Sequence, residues 1–434
     1  MTFSYTMISR VVFFILAFAI AFPFRMNYSF GPFNTLSFLD VAVIICIIFF
    51  IYSWLISAPI LLGNMKLAFS IIFPILVAGI SIFWAVNQNT SMSSFVKYIY
   101  NGLYYFISLN LAKNMSARKI GQIFSFLIIA WIFGSLAMYL DIPGFRYFIA
   151  EKIDLKKDEL NDIIASYYLR LSHPYIGMSN DYGPILIFFG FLLLGIARYV
   201  NNFIFLIVAI FSICFSILTF SRGMILALIF VNIFSNRLFR VTFIKFLTTI
   251  AIAVLFSFLF YQTISNISII HLEDRDRDLS SLFLERISNA NIKSRFISSN
   301  EDFQLIMDRP FLGYGSGYNK LNSASHNFYI ANWKYFGIIL GTITSILFIS
   351  VIIIAFNFQK KYSYSSVSVL YFSLGMGWMF LCLTVLSQTL IEATAPRTII
   401  FYGLGTFAGM LHGLRQSACT PSINMRTLYP KVFS

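Results

Sequence analysis

Residues 286–341 read RISNANIKSRFISSNEDFQLIMDRPFLGYGSGYNKLNSASHNFYIANWKYFGIILG. The stretch begins as the tail of the longest hydrophilic segment and runs straight into an apolar helix that starts at Phe328. That change of character, polar loop to membrane-type span, recurs along the chain and decides its fold class. Phe303–Met307 followed by Asp308, Arg309 and Pro310 predicts a short amphipathic helix that stops at a proline–glycine turn. Gly313, Gly315 and Gly317 form that turn, and Ser325-His326-Asn327 stands at the foot of the apolar helix. Imidazole exchanges a proton near neutral pH, so His326 is the first candidate for chemistry. GYGSG matches a phosphate loop only superficially, because no strand precedes it and no Gly-Lys-Ser/Thr follows.

Outward from this stretch, hydrophobic spans fill most of the 434 residues, of which 59% are hydrophobic and 11% charged, with mean hydropathy +0.80. About 20 apolar residues cross the ~30 Å hydrocarbon layer as a helix. Twelve such spans are predicted, at 8–24, 38–62, 67–86, 95–112, 120–140, 183–199, 202–220, 222–236, 241–262, 328–357, 365–391 and 397–414. The expected fold is an all-α polytopic membrane protein, a single integral domain over 1–434 with two sizeable outward-facing loops, 141–182 and 263–327. The tenth span is too long for one straight crossing, so its first turns are expected at the interface. The first apolar run lacks a small-x-small cleavage site and reads as a retained span.

Charge orients these spans. With the N-terminus in the cytoplasm, the inner segments carry Arg10, Lys66, Lys113, Arg118, Lys119, Arg198, Arg237, Arg240, Lys245, Lys360, Lys361, Arg415, Arg426 and Lys431, and no acid. The outer segments balance 17 basic against 17 acidic residues, so the whole net charge of +14 lies on one face, as the positive-inside bias requires. That one-sidedness accounts for the basic excess without nucleic acid. Cys46, Cys214 and Cys382 fall in apolar runs and Cys419 in the tail, a spacing that implies neither a disulfide framework nor a metal site.

Other polar features read more plainly. His173, before a proline, is a structural turn residue, and Asn180-Asp181 either caps the sixth span or contacts a sugar hydroxyl. His271–Asp278 is a charge-alternating solvated run. Arg222, alone between two apolar stretches, is either a functional intramembrane charge or an interface anchor.

Three motifs in order resemble the O-antigen polymerase and ligase superfamily of bacterial membrane glycosyltransferases. These are Thr219-Phe220-Ser221-Arg222-Gly223, then Ser294-Arg295 with Arg309-Pro310-Phe311-Leu312-Gly313-Tyr314-Gly315, then Ser325-His326-Asn327-Phe328-Tyr329 with Phe336-Gly337-Ile338. The resemblance covers about 220–341; residues 1–180 add only hydropathy. It implies glycosyl transfer from an undecaprenyl-diphosphate-linked oligosaccharide at the outer face of the inner membrane, without cofactor or metal. It also implies membrane lipids and a chain-length regulator as partners. Guanidinium groups hold diphosphate oxygens in two-pronged fashion, so Arg222 and Arg295 are the expected donor clamp, with Arg286 in reserve. A sugar hydroxyl needs a base, the role that falls to His326. Asn327 either orients the acceptor or caps the helix.

Polymerase and ligase share the donor and differ in acceptor, another lipid-linked repeat unit or lipid A–core. The short gap between Arg295 and His326 leans toward a polymerase. A lipid-linked oligosaccharide flippase would carry ionisable residues in mid-span, and here the spans are nearly free of them.

Overall fold

The computed structural model describes residues 2–22, 25–26, 36–55, 61–139, 173, 179–217, 219, 227–228, 231, 300–318, 327–386 and 394–419. Helices dominate: α1 (Thr2–Ala21), α2 (Phe38–Leu55), α3 (Met65–Ile80), α4 (Gln88–Ala112), α5 (Ala117–Tyr139), α6 (Ser179–Tyr199), α7 (Phe203–Ile217), α8 (300–308), α9 (Phe328–Lys361), α10 (Val367–Thr384) and α11 (Thr394–Cys419). A two-residue antiparallel pair, Arg25–Met26 with Leu36–Ser37, ties the α1–α2 connection. Of the expected spans, 241–262 lies outside the described residues and only 227, 228 and 231 of 222–236 are described; each of the other ten overlaps a helix. Among the described residues, five helical stretches are long and apolar enough to cross a bilayer, Met65–Trp84, Ala117–Ala137, Asp181–Tyr199, Phe328–Lys361 and Val367–Thr384. Helix is the spanning form because lipid offers no partner to a free backbone N–H or C=O.

The centre of the bundle is α6, where Tyr182, Ile185, Leu186, Ile187, Phe188 and Phe189 are fully buried. It packs against α5, α7 and α10, and Trp131 and Trp378 close edge-on to Phe189 and Phe188. Helices α4 and α11 run parallel, since Gly405, Gly409 and Gly413 face Tyr105, Leu109 and Lys113 in turn. Glycine every fourth residue lets the two backbones touch, the small-residue packing that replaces hydrophobic burial inside a membrane.

Basic residues gather at one end of this bundle. Arg10 lines a surface with Lys119, Lys66 lines another with Lys361, and the Arg415 guanidinium lies over the rings of Phe358, Tyr362 and Tyr371. The opposite end carries the α3–α4 turn, onto which residues 314–317 dock.

Helix α9 departs from the sequence expectation. Its first turns do not lie along an interface; they reverse. Gly337 has φ 76° and ψ 169°, and the chain folds back there into two arms, 328–336 and 338–361. The Asn332 amide nitrogen donates to Ser345 Oγ at 3.1 Å, whereas thirteen residues of straight helix would hold them about 20 Å apart. Trp333 Nε1 likewise donates to Thr342 Oγ1 at 3.0 Å, and the Phe328 and Phe348 rings meet at 5.0 Å. The crossing arm is therefore 338–361, and 328–336 is a half-helix returning into the bundle.

Candidate functional site

The half-helix begins at Asn327, whose side-chain oxygen accepts the N–H groups of Tyr329 (2.9 Å) and Ile330 (3.2 Å). The next free donor, Phe328 N–H, goes to the Val385 carbonyl at 3.1 Å, and Ala331 N–H closes the first turn onto the Asn327 carbonyl. All the N–H groups of that turn are thereby satisfied. Between its two sequence readings, Asn327 is a helix cap; a substrate contact would have to fall to its amide nitrogen.

A break at Gly337 strands the last carbonyls of the half-helix. Residues 310–315 satisfy them: Tyr314 and Gly315 N–H donate to the carbonyls of Lys334 and Tyr335 at 2.9 and 3.0 Å, and Ile338 N–H donates to that of Pro310 at 2.7 Å. This is the work of the proline–glycine motif. A Cβ on Gly313 would sit 2.6 Å from the Gly337 nitrogen, and one on Gly337 would collide with the Phe311 carbonyl. Both also have positive φ, which glycine alone adopts freely. Beyond the clamp, Ser316 N–H donates to Ser81 Oγ at 3.2 Å and its hydroxyl lies 3.0 Å from Ser91 Oγ, which fastens the turn to the α3–α4 connection and to α4.

A second tie is electrostatic. Lys334 Nζ lies 2.9 Å from Asp302 Oδ1, with side chains 1% and 9% exposed. The pair joins α8 to the half-helix, and loss of either partner would leave the other charge buried alone.

Beneath Phe328 lies a cavity of about 40 Å³ lined in part by Tyr98, Asn101, Thr344, Phe348 and Arg397. The Arg397 guanidinium, in a residue 5% exposed, sits 4.4 Å over the Tyr98 ring. The Asn101 side-chain oxygen is buried without a hydrogen-bond partner. Arg397 and Arg415 are eighteen residues apart on one helix, about 27 Å, close to the hydrocarbon thickness. With Arg415 among the basic residues of one end, Arg397 lies toward the other end of the helix.

Of the residues nominated from sequence, Arg222, Arg286, Arg295 and His326 lie outside the described residues, and Asn327 is placed as above. Arg397 was missed. The loop-and-motif reading stopped at 341, yet a lone arginine just inside a span was the same signal that singled out Arg222. His173 is buried, its ring 5.5 Å from that of Tyr182, and burial pushes its pKa down to about 3. It is neutral at physiological pH, in keeping with a structural role. Asn180 and Asp181 lie inside the first turn of α6 rather than ahead of it.

Residues 205–339 match the family described as O-antigen ligase. That match, over about a third of the chain, supports the resemblance to the O-antigen polymerase and ligase superfamily. No curated protein matches the chain. The family segment contains Arg222, Arg286, Arg295, His326 and Asn327, the glycine clamp and the half-helix, and it ends two residues beyond the bend. The match supports a glycosyltransferase-like activity, and together with the apolar helices it supports a multi-pass membrane protein. Arg397 lies outside the matched segment.

Proposed function

We propose that the protein is a surface-polysaccharide polymerase acting on the outer face of the inner membrane. It transfers glycan from an undecaprenyl-diphosphate-linked donor to a hydroxyl of another lipid-linked repeat unit. His326 takes the proton of the acceptor hydroxyl, whose oxygen forms a bond to the anomeric carbon. The bond from that carbon to the diphosphate breaks, and lipid diphosphate leaves with its charge held by Arg222 and Arg295, with Arg286 in reserve. The observation that carries this reading is the superfamily segment, which holds all of these residues.

Arg397 joins the donor site in this reading. It shares a cavity with the first residue of the half-helix that His326 precedes.

The test is purified protein in lipid with lipid-linked repeat units and no other acceptor. Longer chains support a polymerase. Transfer only when lipid A–core is added supports the ligase reading. Transfer of neither kind, with movement of the lipid-linked unit across the bilayer, would be a flippase. His326→Ala is expected to abolish turnover and leave donor binding intact, since general-base help is worth roughly 10²–10⁴-fold in rate. Arg222→Ala, Arg295→Ala and Arg397→Gln are expected to weaken donor binding about ten- to a hundred-fold, the value of a charge-assisted contact. Tyr98→Leu removes only the ring beneath Arg397 and should spare donor affinity; equal losses in both variants would reduce Arg397 to a strut. A chelator should leave turnover unchanged.

A further inference from the structure

Helix α8 and the turn after it divide into three faces. At 100° per residue, Asp302, Leu305 and Ile306 share one side, and all three are buried against the bundle. Glu301, Gln304 and Asp308 share a second side, which is polar and exposed. Phe303 (46% exposed) and Met307 (72%) share the third, one turn apart, and the exposed Phe311 and Leu312 extend it past the helix end. An amphipathic helix with its apolar side on the protein has two faces, not three. Here an apolar stripe remains uncovered beside a polar one, in a segment read from sequence as part of a water-facing loop.

The stripe has a neighbour. The chain at 310–312 lies directly against the bend, where the Pro310 carbonyl accepts Ile338 N–H and a Cβ on Gly337 would meet Leu312 nitrogen at 2.9 Å. From there Ile338, Ile339, Ile343 and Ile346 continue down the crossing arm as its exposed apolar surface. That surface belongs to a span long and apolar enough to face lipid. The uncovered stripe on α8 is thus the upward continuation of a bilayer-facing strip.

We infer that Phe303, Met307, Phe311 and Leu312 dip into the hydrocarbon boundary of the outer leaflet, so that α8 lies in the interface with Glu301, Gln304 and Asp308 in water. Interfacial helices bind in this way, apolar side in the acyl boundary and polar side out. The anchor has a mechanical sequel. Through the Lys334–Asp302 pair and the glycine clamp, the depth of α8 sets that of the half-helix.

The experiment is site-directed spin labelling of the full chain in lipid nanodiscs, with Cys46, Cys214, Cys382 and Cys419 replaced. Single cysteines go at Phe303, Met307 and Phe311, and at Glu301, Gln304 and Asp308. Collision with oxygen, which partitions into lipid, is compared with collision with a water-soluble nickel chelate. The inference expects a several-fold higher oxygen-to-nickel ratio at the first three positions. Equal ratios at all six would overturn it by placing the stripe in water. Low collision with both reagents at 303, 307 and 311 would overturn it too, by showing that protein covers the stripe. The three apolar positions report independently, and Phe311→Cys lies outside the helix should a change within α8 perturb folding.

Discussion

The two arms of α9 belong to one run of helix, the first mixing aromatics with Asn332 and Lys334 and the second rich in isoleucine, and they meet opposite fates. Arm 338–361 crosses as an ordinary span, one side against α3 and α10, the other a column of exposed isoleucines. Arm 328–336 turns back, buries Phe328, Ala331, Asn332, Lys334, Tyr335 and Phe336, and needs an asparagine cap, a glycine clamp and an ion pair to stay there. A span is held by the solvent it sits in. A half-helix is held by bonds to particular neighbours, because both of its ends must find partners within protein.

The sharpest way to break the comparison is at the bend. Gly337→Val adds a Cβ against the Phe311 carbonyl at a positive φ. It should cost about 4–5 kcal/mol or more and abolish folded protein in detergent thermal melts. Gly375→Val, on the regular helix α10 where a Cβ would meet the Phe356 ring first, should be far milder. If both melt alike, the reversal is not what holds the outer end together.

Next comes the ion pair. Lys334→Met leaves Asp302 buried and uncompensated, with an expected loss of about 3–5 kcal/mol. Adding Asp302→Leu should restore much of it. A double variant no more stable than the single would mean that the carboxylate is not confined as the geometry shows.

His173 tests the bundle proper, away from the half-helix. Its folded pKa of about 3 lies below the unfolded value of ~6.5. The unfolded chain therefore binds the extra proton, and stability is lost as pH falls through 6.5 toward 3. At pH 5 the loss is about 2 kcal/mol, from ~1.36 kcal/mol per pH unit. A His173→Gln variant should show a flatter melting temperature from pH 7 to 5; parallel curves would remove the histidine from the acid response.

The smallest effect is expected at the cap. Asn327→Ala should cost about 1 kcal/mol, and Asn327→Ser, which keeps an oxygen acceptor, should recover most of it. If Asn327→Ser is stable but inactive, the amide has a substrate role beyond the cap.

Several parts of this picture were legible beforehand. Helix positions followed from runs of apolar residues, because the bilayer imposes length and hydropathy on any span. The shared end of Arg10, Lys66, Lys119, Lys361 and Arg415 followed from the one-sided charge. The short helix at 300–308 and the proline–glycine turn followed from local patterning. What the turn is for was not legible: its glycines serve an approach to Lys334–Ile338, some twenty residues away.

Composition and order along the chain thus determined a helical membrane bundle, its charge asymmetry and the superfamily motifs, all of which are local or additive properties. Tertiary structure alone decided that α9 reverses, that Lys334 finds Asp302, that Asn327 caps a buried half-helix, and that Arg397 shares its cavity. Those outcomes rest on pairings between distant residues. Hydropathy sums over neighbours along the chain and so carries no record of them.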